Sequence, residues 1–89
     1  MGNLYLVDKP FGETGLNLAM NDKTAKVVLI QDGVYLDCAP LHATAAEIYA
    51  LHEDAERRGQ AKRLARYVHV IDYGQLVDLI ADNKVVNFA

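Results

Sequence analysis

Four branched apolar residues in succession, Val27-Val28-Leu29-Ile30, lie between Lys26 and the turn signal Asp32-Gly33. A run without polar alternation has no side to give to water, so at this length it predicts a strand covered on both faces. In a small protein that means a central parallel strand with helices on either side. Ligand and partner sites in such open sheets gather beyond the carboxyl ends of the strands. Here that end is Gln31-Asp32-Gly33.

The rest of the chain fits this centre. Asn3 to Val7 reads as a first strand and Asp8 to Gly12 as a loop, because Pro10 drives Lys9 out of helical space. Thr14 is placed to cap a helix carrying Leu16, Ala19 and Met20 at i, i+3, i+4, ended by Asn21-Asp22-Lys23. Val34 to Leu36 is too short to assign, and Asp37 to Pro40 reads as irregular. Glu47 to Leu51 predicts another strand. The short helix after it has acids first (Glu53, Asp54) and bases last (Arg57, Arg58), suiting the macrodipole and two i, i+4 pairs, with Gly59 as its terminator. A basic linker from Gln60 to Tyr67, with some helical character, leads into a strand at Val68 to Ile71. Asp72 caps a last helix whose apolar face is Tyr73, Leu76, Val77, Leu79 and Ile80, and Lys84 to Phe88 can form an edge strand. Alternating strands and helices predict one α/β domain over residues 1–89: a mostly parallel four- to five-stranded sheet flanked by helices.

At 89 residues a domain buries only about 60–65% of the surface its unfolded chain exposes. With 52% of its residues hydrophobic, this chain cannot hide them all, so association with copies of itself or with other chains is expected. A net charge of −3 gives no overall field for nucleic acid. No segment reaches the ~18 apolar residues of a membrane span. No secretory signal is expected at the start, and Leu6 stands where a myristoylation signal needs Ser or Thr. The expected location is the cytoplasm, without membrane attachment.

Several residues invite chemistry, each with a plainer alternative. Cys38, the single cysteine, could be a reactive thiol if Ala39-Pro40 opens a helical turn and His42 faces it, since a nearby cation or helix start lowers a thiol pKa. Asp37 works against that, and free cysteine is commonly a small buried side chain. Asp8, Asp32, Glu53, Asp54 and Asp72 all follow expected strands and would form an acidic rim, which repels phosphate and weakens any nucleotide-binding reading of Gly12 and Gly15. Capping and turn closure account for such acids; the sharper reading is a partner-docking surface that includes Gln31, Asp32 and Tyr73. Arg57, Arg58, Lys62, Arg63 and Arg66 cluster within ten positions, and Arg63 and Arg66 are candidates for nucleic-acid phosphate, against the plain reading of solvated charge. His42, His52 and His69 lack metal-ligand spacing. Neither a metal nor a cofactor is expected, and no nucleophile motif marks an independent enzyme.

Val-Val-Leu-Ile-Gln-Asp-Gly-Val at 27–34, Ile-Tyr-Ala-Leu-His-Glu-Asp at 48–54 with Arg58-Gly59 beyond, and Val-Ile-Asp-Tyr at 70–73 with Leu76-Val77 resemble the DsrH/TusB family in order and approximate spacing. The resemblance implies a DsrE/DsrF/DsrH-like α/β fold and a sulfur relay, in which persulfide sulfur passes between cysteines, in many bacteria toward 2-thiolation of the tRNA wobble uridine. It implies TusC/DsrF-like and TusD/DsrE-like partners, although some relatives stand alone. In the sulfur-carrying sister subunit the cysteine lies near the end of the strand before the Arg-Gly helix. The matching stretch here, Tyr49-Ala50-Leu51, has no thiol, and neither has Leu16 to Met20, where some DsrH proteins carry one. The resemblance therefore implies a supporting, structural subunit more than a sulfur carrier; the alternative is a stand-alone homo-oligomeric binding or regulatory module.

Overall fold

The sheet is entirely parallel and its centre is the apolar run. The computed structural model describes residues 2–8, 12–22, 24–36, 47–66 and 68–88. In chain order its elements are β1 (Asn3–Val7), α1 (Gly12–Met20), β2 (Lys26–Leu29), a 3-10 turn (Gln31–Tyr35), β3 (Glu47–Leu51), α2 (His52–Arg57), α3 (Ala61–Leu64), β4 (His69–Ile71), α4 (Tyr73–Asp82) and β5 (Lys84–Phe88). The strand order is β4-β3-β2-β1-β5, with Tyr5 opposite Val27, Val27 opposite Ile48, and Leu4 opposite Val85. Cys38 and His42, with the turn considered for Ala39-Pro40, lie outside the described residues.

Val27, Val28 and Leu29 are wholly buried, because alternate side chains serve different layers. Val27 and Leu29 join Tyr5, Val7, Ile48 and Ala50 under α1, α2, α3 and the 3-10 turn, which contribute Leu16, Ala19, Ala55, Leu64 and Val34. Val28 turns the other way, beside Leu4 and Ile71, where Leu76 and Leu79 of α4 pack. Each such fully buried branched side chain is worth about 1.5–3 kcal/mol. A polar substitution at any of the three would therefore be severe.

Some local expectations are corrected. The Asp-Gly pair makes no simple turn: residues 31 to 35 form the 3-10 helix, with Gly33 N–H donating to Ile30 C=O and Leu36 N–H to Gly33 C=O. Thr14 does not cap α1, which begins two residues earlier at Gly12. A side chain at residue 12 would collide with Val7 and Leu36, so the bare glycine lets the helix start against β1 and the 3-10 turn. The basic linker contains a genuine helical turn, α3. The last helix is capped as expected by Asp72, and the cap is reciprocal: Gln75 N–H donates to the Asp72 carboxylate and Asp72 N–H to the Gln75 side chain. Its apolar face, however, is only partly used: Leu76 and Leu79 pack half-buried against the second cluster. No residue of α4 is buried, and Tyr73, Val77 and Ile80 are exposed.

Gly59 ends α2 in the left-handed region at φ 67°. Its N–H donates to Glu56 C=O and that of Gln60 to Ala55 C=O, so a Schellman motif closes the helix. No helix among the described residues is long and apolar enough to cross a membrane.

Candidate functional site

Because every strand runs the same way, the strand ends form one rim. The connections from β3 and β4 leave it in opposite directions, since α2 packs on one face of the sheet and α4 on the other. A crevice between diverging connections is where open α/β sheets place their sites. The segment from His52 stands on one side of it and Asp72-Tyr73 on the other, while Gln31 and Asp32 rise from β2 beyond β3.

The β2 corner is held by charge. Ile30 N–H still donates to Val7 C=O, extending the sheet by one residue, and Gln31 then enters left-handed space at φ 47°. That geometry costs a non-glycine residue about 1–2 kcal/mol. It is supported by Asp54, whose carboxylate accepts the Gln31 N–H at 2.7 Å and is itself buried. Arg58 completes the corner, with Nε donating to Asp32 Oδ1 at 2.8 Å and Nη1 lying 3.7 Å from Asp54 Oδ1. The hydrogen bond to Asp32 raises the guanidinium pKa above its ordinary value. Next in the turn, Gly33 lies so close to Val7 C=O that a β-carbon could not be accommodated.

The candidate residues are thus distributed unevenly. Gln31 and Asp32 are adjacent and exposed, although Asp32 is already paired with Arg58. Tyr73 is exposed on the same rim but two strands away, roughly 10 Å at ordinary strand spacing. Arg63 is tied inward, Nη2 donating to Val34 C=O at 2.5 Å and Nε to Gln60 Oε1 at 2.7 Å, whereas Arg66 is exposed. Of the two ion pairs expected in α2, Asp54–Arg58 forms and Glu53–Arg57 does not, while His52 Nε2 lies 2.6 Å from Glu56 Oε2. The bridges from Gln31 to Asp54 and from Arg58 to Asp32 had no signal in the sequence, since they join residues 23 and 26 positions apart. No group of His, Cys, Asp or Glu that could hold a metal occurs among the described residues.

The described part of this rim is polar. Its acids do the work of turn closure and capping, and Asp72, Asp54 and Asp32 each have a defined partner.

Known proteins agree with this architecture. Residues 10–86 match the family model described as DsrH like protein. Protein TusB of Pectobacterium parmentieri is 34% identical over 68 residues, covering 70% of this chain and 72% of that protein. The solution NMR structure of protein Tm0979 from Thermotoga maritima superposes with a TM-score of 0.64 at 28% identity, over 90% of this chain and 92% of that one. A match over nearly the whole domain, with a TusB relative above 30% identity, places this chain in the DsrH/TusB family.

Proposed function

We propose that this chain is a subunit of a sulfur-relay assembly, acting through the surfaces it offers to neighbouring chains and not as the sulfur carrier. Family membership over residues 10–86 carries the reading. The local structure supports the non-carrier role. The strand that leads into the Arg58-Gly59 helix is β3, and its end is Tyr49, Ala50 and Leu51, with Ala50 and Leu51 buried as packing residues. TusC/DsrF-like and TusD/DsrE-like subunits are the partners in this reading, and the cytoplasm its place. The downstream process is 2-thiolation of the tRNA wobble uridine.

Any contact with tRNA would be marginal. Arg66 is offered to solvent, but Arg63 is engaged within the domain, and salt-dependent retention on tRNA would have to fall on reversing these two charges. The runner-up reading, a stand-alone homo-oligomeric module, draws on the exposed apolar residues of α4.

Co-expression with TusC- and TusD-like chains, followed by native mass spectrometry, tests the assignment. A defined heteromer is expected, and no complex under any stoichiometry would move the protein to the runner-up reading. Intact-mass measurement after incubation with a cysteine desulfurase and cysteine addresses the carrier role. Cys38 is expected to gain no sulfur; a persulfide there that passes to a second protein would make this chain a carrier.

A further inference from the structure

The turn beyond β2 carries a chemical hazard. Asp32-Gly33 is the single place in the 89 residues where Asp or Asn precedes Gly. Backbone isomerisation is fastest at that dipeptide, because glycine has no β-carbon to obstruct the attack of its nitrogen on the preceding side-chain carboxyl. The fold nevertheless requires both residues. A β-carbon at Gly33 would collide with Val7 C=O, and Asp32 is the ion-pair partner of Arg58. Asp32 is also exposed, so water reaches it.

In the reaction the Gly33 nitrogen gives up its proton and bonds to Asp32 Cγ, while the Cγ–OH bond breaks and water leaves, closing a cyclic succinimide. Water then adds to either ring carbonyl. Opening at the side-chain carbonyl restores aspartate; opening at the main-chain carbonyl gives isoaspartate, whose backbone runs through Cβ. Nothing is oxidised or reduced. Closure demands a free Gly33 nitrogen, eclipsed with Cγ across the Cα–C bond of residue 32.

The folded corner meets neither demand. Residues 31 to 35 are a 3-10 helix, whose ψ of about −20 to −30° turns the next nitrogen out of the eclipsed position. The Gly33 N–H is engaged, donating to Ile30 C=O at 2.8 Å. Arg58 Nε donates to Asp32 Oδ1 at 2.8 Å, and Asp54 accepts the Gln31 N–H at 2.7 Å. The carboxylate and the residue before it are therefore both tied to α2. We propose that Arg58 and Asp54 guard Asp32-Gly33, a latent site of covalent modification, and that it converts to isoaspartate only when this corner opens locally. The product cannot return to the native corner: one more main-chain carbon between Gln31 and Gly33 has no place where Gly33 already packs against Val7 C=O. Conversion thus removes the Gln31-Asp32 surface.

This goes beyond the sulfur-relay reading and does not depend on it. The full chain is aged at neutral pH and physiological temperature, beside the same chain unfolded in guanidinium chloride. Isoaspartate is read in the tryptic peptide 27–57 by its shifted retention at unchanged mass, and its position by electron-transfer fragmentation. Folded wild type is expected to convert at least about tenfold more slowly than the unfolded chain, the factor that one hydrogen bond to a charged group supplies. Arg58→Ala is expected to convert about threefold faster than wild type, the scale of a partly exposed ion pair, and Asp54→Ala about tenfold faster, with folded circular dichroism spectra. Asp72→Ala, which weakens the distant α4 cap, is the control for lost stability and is expected to keep the wild-type rate. Folded wild type converting as fast as the unfolded chain, or neither corner variant exceeding wild type, would overturn the proposal. An Asp72→Ala rate equal to that of the corner variants would do so too, since conversion would then follow global unfolding.

Discussion

Asp54 does more for this domain than its place in a short surface helix suggests. Buried and charged, it holds the left-handed Gln31 from below and anchors Arg58. Asp54→Ala leaves a backbone N–H without its charged acceptor and is expected to cost about 1.5–3 kcal/mol in urea unfolding. Asp22 plays the corresponding part at the opposite end of the sheet. Its carboxylate accepts from Asn3 Nδ2, from the Thr24 N–H and hydroxyl, and from the Tyr5 hydroxyl. These bonds, the one from Asn3 first, lower its pKa from 3.8 to about 2. A carboxylate with a depressed folded-state pKa stabilises the fold above the unfolded value and stops doing so as pH falls through the folded one. The stability gap between wild type and Asp22→Asn is therefore expected to be constant above about pH 4 and to close toward pH 2. A gap independent of pH across that window would show that the Asp22 charge contributes nothing.

At the level of elements, local rules succeeded where neighbours in sequence are neighbours in space. β1 and β3 have the bounds their composition implies, Gly59 terminates α2, and Asp72 caps α4. They failed where another element intrudes. α1 starts at Gly12, a position crowded by the Val7 and Leu36 side chains, which no capping pattern records. Glu53–Arg57, expected from its spacing, does not form, because an exposed i, i+4 pair is worth at most about 1 kcal/mol, too little for spacing to decide. Since α4 has only half-buried anchors, it leans on its own cap. Asp72→Ala is expected to lower stability by about 1 kcal/mol, read as a shift of the urea midpoint with unchanged slope. Gly33→Ala, forced against Val7 C=O, is expected to cost about 1–3 kcal/mol by overpacking.

On the scale of the whole molecule, the two faces of the sheet are finished to different degrees. In the runner-up reading of a homo-oligomeric module, association through the exposed apolar residues of α4 would bind only the folded chain. Mass action then raises the melting temperature with protein concentration. Wild type is expected to show this dependence across the micromolar range and Val77→Asp to lose it. The candidate site is equally a property of the assembled fold. Gln31 and Asp32 adjoin each other in sequence, but Arg58 and Asp54 reach them only because β3 lies beside β2. Tyr73, assigned to the same rim, lies two strands away because β4 takes the far edge.

By itself the sequence determined the layered α/β class, the central position of the Val27–Leu29 run and the family, since unbroken apolar strands, caps and turn residues act over a few positions and leave their period in the chain. The tertiary structure alone decided the order β4-β3-β2-β1-β5, the clamp of Arg58 on Asp32 and Asp54, and the exposure of α4. Each of these depends on which distant segments meet. A helix with an apolar stripe reads the same whether its own sheet covers that stripe or leaves it for another chain.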